Sequence, residues 1–336
     1  MEHLPGRTSF LCNLIMLCLS MAGAAADTPA STFTIYVGAE VGNGYDMPAR
    51  ILSRHIGRHL PDNPTIIVRN MPGANGIALA NYMNARAAKD GSEIAIVHNT
   101  VVIDAMMGNS AVRFRPQDFV WLGSTSPLTN TCVLWRGAQA QSFKEARVLD
   151  VRMGATSASD ATALVPLFLN ALNGSRFSVI RGYQSSGMIY NAMEKGEVDG
   201  ICASWDNILR WRPEGIKSPD LRVLVQVGAT PDPSLGDTPF VMDLASNDSD
   251  RETLRFLTAR QAFARPFIAP PGLSAEKGTA LRNIFIDTVR DPAFLEDANR
   301  SGVPINPSNG EEVQKLINEI MATPMAIVRR AESASR

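Results

Sequence analysis

The sequence predicts an α/β protein of two similar lobes, each on a largely parallel sheet, with a cleft between them. Three observations carry this. Runs of four to seven β-branched and aromatic residues alternate with segments of helical period, as in a parallel α/β sheet. The alternation breaks near Ser124 and then begins again. The strands of both blocks end in polar or Gly-rich turns, the place where such sheets bind ligands.

The first strand is Phe33 to Val37, where Phe33, Ile35 and Val37 alternate with Thr34 and Tyr36. It runs into Gly42, Asn43 and Gly44, which tolerate the left-handed backbone of a tight turn. Asp46 stands where a helix N-cap is expected and Pro48 falls in the first turn. Such a turn presents backbone N–H groups at the positive end of a helix, an anion site that needs no cationic side chain. Leu52, Ile56 and Leu60 then fall on one helix face, ended by Pro61 and Pro64. Thr65 to Val68 is a second strand, Asn70 to Gly76 a second Gly-rich turn, and Ile77 to Ala88 a helix. Ile94 to Val97 is a third strand, ending at His98, Asn99 and Thr100.

Phe119 to Thr125 and Thr131 to Trp135 read as an extended crossing into the second block. There the strands are Val148 to Ala155, Phe177 to Ile180, Val198 to Ala203 and Leu221 to Val227. Helices follow over Ala161 to Leu172 and Met188 to Lys195. The turn-rich stretch from Thr230 to Asp250 is expected to hold the return crossing, and Arg255 to Pro271 a final strand. Beyond it the chain reads as helical over Ala275 to Val289, Pro292 to Arg300 and Glu311 to Glu332.

Composition narrows the function. The chain has 336 residues, 45% apolar and 19% charged, with 32 basic residues against 33 acidic. That length suits two domains, and the charge balance offers no footprint for nucleic acid. Residues 1–26 carry Arg7, a short apolar run from Phe10 to Ala22, and small residues through Ala26. This reads as a secretory signal, too short to span a bilayer comfortably. Two cysteines remain beyond it, Cys132 and Cys202; their spacing fits no metal motif, and they read equally as a disulfide or as two buried thiols.

Other chemistries fit poorly. A dinucleotide fingerprint would need glycine where Met47 stands. A nucleophile elbow needs glycine on both sides of its serine, two residues away, which neither Ser185 nor Ser186 has. His55 and His59 are four apart on a helix, but no third metal ligand follows at a recognised spacing. Trp205, beside Asp206, is the tryptophan placed best to line a cleft.

Taken in order, several stretches resemble the periplasmic solute-binding proteins of tripartite tricarboxylate transporters, the Bug or TctC-like receptors. They are Gly42-Asn43-Gly44-Tyr45-Asp46 with Ala49-Arg50; Asn63 to Gly76; Lys89-Asp90-Gly91; Gly182 to Ser186; Gly196 to Gly200; and Ala269 to Gly272 with Asp291 to Phe294. The resemblance implies a type II periplasmic binding protein with a parallel-rich sheet in each lobe and a two-crossing hinge. Residues 27–124 with 249–336 would form one lobe and 125–248 the other. It implies a small organic carboxylate as ligand and the membrane permease subunits of such a transporter as partners. It also implies a periplasmic, monomeric protein, with no cofactor, no metal and no catalytic residues. First-lobe contacts would come from Gly42, Asn43, Gly44, Asn75 and Gly76, with His98 and Asn99 at the third strand end. Second-lobe contacts would come from Thr156, Ser157 and Ser159, with Tyr183, Ser186 and Asp206 nearby. The family topology sets the strands of Cys132 and Cys202 side by side, so a disulfide is feasible. The chain departs from the family pattern at Val41, Asn43 and Asn75, where the family has proline and two glycines. The alternative is an exported hydrolase on the same scaffold.

Overall fold

A computed structural model describes residues 31–157 and 160–335. The signal segment expected over residues 1–26 lies outside the described residues. In chain order the elements are β1 (Thr32–Val37), α1 (Asp46–His55), β2 (Thr65–Asn70), α2 (Ile77–Ala85), β3 (Glu93–Ile96), α3 (Thr100–Met106) and β4 (Val120–Ser124). The chain then passes through β5 (Asn130–Trp135), β6 (Val151–Ala155), α4 (Ala161–Asn173), β7 (Phe177–Arg181), α5 (Ser186–Glu194), β8 (Gly200–Ser204), α6 (Trp205–Trp211) and β9 (Leu221–Val227). It ends with α7 (Asp248–Ala259), β10 (Pro266–Ala269), α8 (Ala275–Arg290), α9 (Pro292–Arg300), β11 (Ser308–Asn309), α10 (Gly310–Met321) and α11 (Met325–Ala334).

Two sheets organise these elements. The first has strand order β11-β4-β10-β3-β1-β2 and the second β7-β6-β8-β5-β9. Each is mixed: β1, β2 and β3 run parallel, as do β6, β7 and β8, while the strands next to the crossings join antiparallel. The period-two pattern of β1 hides its consequence, because both of its faces are covered. On one face Ile35 and Val37 meet Leu52 of α1, Ile56 just after it and Phe285 of α8. On the other, Tyr36 joins Leu79 and Met83 of α2, with Val313 and Ile317 of α10 in the same core. The second sheet is covered in the same way, by Phe168 and Leu169 of α4 on one face and Ile189 and Met193 of α5 on the other. Each lobe is therefore a three-layer α/β sandwich.

The two crossings lie side by side and are hydrogen-bonded to each other. Thr125 N donates to Arg265 O at 3.3 Å, Ala264 N to Ser126 O at 3.2 Å, and Leu128 N to Gln261 O at 2.8 Å. The return crossing thus lies later than the stretch from Thr230 to Asp250. That stretch holds only short helical turns before the twelve-residue helix α7. The Asn247, Asp248 and Asp250 cluster, which reads as a turn, is the N-terminus of α7: the Asn247 side chain accepts from Asp250 N at 2.9 Å. Leu254 of α7 packs into the second-lobe core and Phe256 into the first. Cys132 and Cys202 face each other on adjacent antiparallel strands, fully buried, and form a disulfide. Among the described residues no helix is long and apolar enough to cross a membrane.

Candidate functional site

The strand ends of both lobes point into the same space. In the first lobe the turn after β1 is folded around Asp46, whose carboxylate is almost fully buried. Its oxygens accept from Gly42 N at 2.8 Å, Arg50 Nε at 2.8 Å and Asn70 Nδ2 at 2.9 Å. Burial alone would raise this carboxyl, but the hydrogen bonds from Arg50, Gly42 and Asn70 outweigh it and hold it below the usual carboxylate range. Asp46 is the first residue of α1, and Tyr45 takes the N-cap position without a side-chain cap. The loop also consumes its own amides. Asn43 N donates to Glu40 O at 3.1 Å, Asp46 N to Asn43 O at 2.9 Å, and Tyr45 N to Asn43 Oδ1 at 3.2 Å. Gly44 is left as the one residue of Gly42 to Asp46 whose N–H has no partner among the described residues. The row of free amides expected of this turn is reduced to that single donor.

Gly76 precedes α2 with φ +84°, and a Cβ there would lie 3.1 Å from His98. Glycine is therefore required for two reasons, backbone hand and space. Asn75, beside it, has φ 51°, a conformation asparagine tolerates better than most residues. The His98 ring stacks on Tyr45, with centroids 4.1 Å apart and planes 14° apart. Burial pushes its imidazole down to about 4, and a hydrogen bond to the Gly38 backbone opposes this only weakly. Its Nε2 has no partner. Asn99 Nδ2 donates to Arg260 O at 2.9 Å, so the third strand end is tied to the return crossing.

In the second lobe Asp160 caps α4 and Ser185 caps α5. Thr156 spends its hydroxyl on Asp160 Oδ2 at 2.9 Å and on Thr162 Oγ1 at 3.1 Å, and its N–H on the same Thr162 oxygen. Tyr183 packs against the core beneath α5 and α6. Tyr190 OH donates to Asn207 Oδ1 at 2.6 Å, and Asn207 lines the cleft. Trp205 is buried and donates to Ser234 Oγ at 3.0 Å, so it belongs to the core and not to the cleft wall.

These surfaces enclose a cavity of about 530 Å³. Of the residues expected at the site, Asn43, Gly44, Asn75, His98, Asn99, Ser157 and Ser186 line it. Gly42, Gly76 and Thr156 shape its rim without facing it, and Tyr183 lies away from it. Asp206 is occupied by Arg265, 3.7 Å away. Ser159 lies outside the described residues. A trough of the same volume runs beside α10, lined by Arg282, Glu311, Lys315 and Glu319 among others; its walls come from a single lobe.

The sequence reading missed the floor. Leu128 and Asn130 come from the first crossing and Arg260, Gln261, Ala264 and Arg265 from the second; Arg210 of α6 completes the cationic lining. Three arginines thus face one carboxylate, Asp160, in the cavity wall. Arg265 is engaged: Nη1 donates to Ser126 Oγ at 2.7 Å and Nε to Gly44 O at 3.3 Å. Arg260 is half-buried, and burial pulls its guanidinium below the usual value, opposed only by the longer-range fields of Tyr45 and Asp104.

Compared with models of protein families and with curated proteins, the chain matches none. Solved structures do match. One is a TctC solute-binding protein from Polaromonas without ligand, with a TM-score of 0.69 and 16% identity over 91% of this chain and 99% of that one. Another is the periplasmic binding protein BugD, with a TM-score of 0.61 and 18% identity over 91% of this chain and 98% of that one. A third is MatC from Rhodopseudomonas palustris with bound malate, with a TM-score of 0.58 and 19% identity over 91% and 99%. The fold is that of a periplasmic binding protein. At these identities the likeness reaches the backbone and stops there. The chemistry of the cleft rests on this chain's own side chains, and above all on its arginines.

Proposed function

We propose that this chain is an extracytoplasmic solute-binding protein of the Bug or TctC-like family. It captures a small carboxylate between its lobes and delivers it to the membrane permease subunits of a tripartite tricarboxylate-type transporter. The observation that carries this reading is the charge of the cavity wall, three arginines against one carboxylate. In a partly desolvated space an organic anion is the natural complement to such a wall. The N-termini of α1, α4 and α5 also end at the cavity, through Tyr45, Ala161 and Ser186. MatC, with the same fold, was solved with malate. In this reading the first lobe lies before residue 125 and after the return crossing at 261–265, the second lies between the two crossings, and residues 1–26 direct export.

No covalent chemistry is part of the proposal. A hydrolase on this scaffold would need a serine hydroxyl on His98, yet His98 Nε2 has no partner and the Ser185 hydroxyl caps α5. The test is native mass spectrometry of protein purified without refolding, followed by calorimetry with any acid that co-purifies. Saturable binding of a carboxylate without product formation on ester and amide panels is the expected result. Turnover, or the absence of any carboxylate binding, would sink the proposal.

A further inference from the structure

The cavity contains a cation that no counter-ion touches; only the longer-range fields of Tyr45 and Asp104 reach it. Arg260 follows α7 on the return crossing, and its backbone carbonyl is held by Asn99 Nδ2 at 2.9 Å. Its guanidinium lines the cavity, yet among the described residues it makes no hydrogen bond and no ion pair. The contrast with Arg265 is direct, since that side chain is satisfied by Ser126, Gly44 and Asp206. Arg210 is exposed and can be neutralised by solvent. Arg260 is half-buried and cannot draw on water to the same degree. A half-buried cation without a contacting counter-ion carries a desolvation cost that Asp104 offsets only at longer range, and a bound anion offsets more of it.

Two further polar groups on the same floor lack partners. Asn130 is 5% exposed and lines the cavity with a side-chain amide that bonds to no described residue. Gln261 is equally buried, and its Oε1 is unpartnered. Arg260, Asn130 and Gln261 therefore form a polar patch at the crossings. The Gly44 N–H and the Asn43 and Asn75 side chains of the turns line the same cavity.

We propose that Arg260 is the residue that selects a diacid over a monoacid: one acid group sits at the Gly44 and Asn75 turns, and a second is held by the Arg260 guanidinium at the hinge. This rests on the function proposed above. It goes further by requiring two anionic groups and by naming the side chain that reads the second. A guanidinium offers paired N–H donors to a carboxylate, so the discrimination depends on geometry as well as charge.

The experiment is calorimetry on matched pairs: succinate with butyrate, glutarate with pentanoate, and adipate with hexanoate. In the parent protein at least one diacid binds about tenfold or more tighter than its monoacid, the worth of one charge-assisted hydrogen-bonded contact. Arg260→Gln removes that advantage, weakening the diacid about tenfold while changing the monoacid about twofold or less. Arg260→Lys keeps the charge without the fork and restores part of the loss. A second readout separates recognition from structure. The unliganded Arg260→Gln protein melts no lower than the parent, because the guanidinium has no hydrogen bond or ion pair among the described residues to lose; a structural arginine would leave a less stable protein. Equal affinities for diacid and monoacid in the parent would overturn the inference and leave the carboxylate reading standing. So would an equal loss of both in Arg260→Gln. If neither diacids nor monoacids bind, the carboxylate reading itself falls and takes the inference with it.

Discussion

Acid should weaken this protein through one histidine before it weakens it through carboxylates. The His98 imidazole, stacked on Tyr45 and half-buried, is pushed from its ordinary 6.5 down to about 4 by burial. The unfolded chain accepts a proton near pH 6.5, and the folded protein resists it until about pH 4. The contribution of His98 to stability is therefore complete above about pH 6.5 and drains away as the pH falls through that interval. At pH 4.5 the loss amounts to roughly 2.5 kcal/mol, with a ceiling of roughly 3 kcal/mol at lower pH. The carboxylates of Asp46, Asp291 and Asp297 are held below their usual range, so their share is lost at still lower pH. Urea unfolding of the parent and of His98→Gln at pH 7 and pH 4.5 isolates the term. The parent should lose about 2.5 kcal/mol more than the variant between the two pH values. Parallel losses in the two proteins would refute the argument and show that His98 is as easily protonated folded as unfolded.

Three substitutions test the rest. Gly44→Val adds side chain at the cavity wall where a Cβ meets open space and the backbone is not left-handed. Stability should change by about 0.5 kcal/mol or less while calorimetry records at least a tenfold weaker Kd, a loss of about 1.4 kcal/mol or more; unchanged affinity would place the ligand elsewhere. Gly76→Ala must take φ +84° and set its Cβ 3.1 Å from His98; a loss of about 2 kcal/mol or more in urea unfolding is expected, and a loss under about 0.5 kcal/mol would contradict the packing described. Replacing both Cys132 and Cys202 by serine opens a covalent loop of sequence separation 70; chain entropy predicts a stability loss of about 4 kcal/mol, and a midpoint equal to that of the parent would show that the crosslink does not constrain the unfolded chain.

The fold was legible because local signals agreed with the global architecture. Leu221 to Val227 and the helix from Ala161 were readable to within a residue, since periodicity and caps coincided. Helix α7 was hidden because Asn247, Asp248 and Asp250 look the same in a turn as in an N-terminal first turn. The candidate site was legible where backbone geometry constrains residue type, as at Asn75 with φ 51° beside Gly76. It was illegible where the chemistry comes from across the sequence. Arg260 and Arg265 reach the cavity only because two crossings pair, and sequence spacing carries no trace of Leu128 N meeting Gln261 O. The amide-only anion site also failed for a local reason. Asp46 and Asn43 draw the loop N–H groups inward, leaving few of them free toward the cavity.

The most direct test is a crystal structure of the protein saturated with an acid that calorimetry shows to bind. One carboxylate should lie against Gly44 and Asn75, facing Ser157 and Ser186 across the cavity, with its second acid group on Arg260. An acid found in the trough beside α10, with the space between the lobes filled by water, would contradict the account.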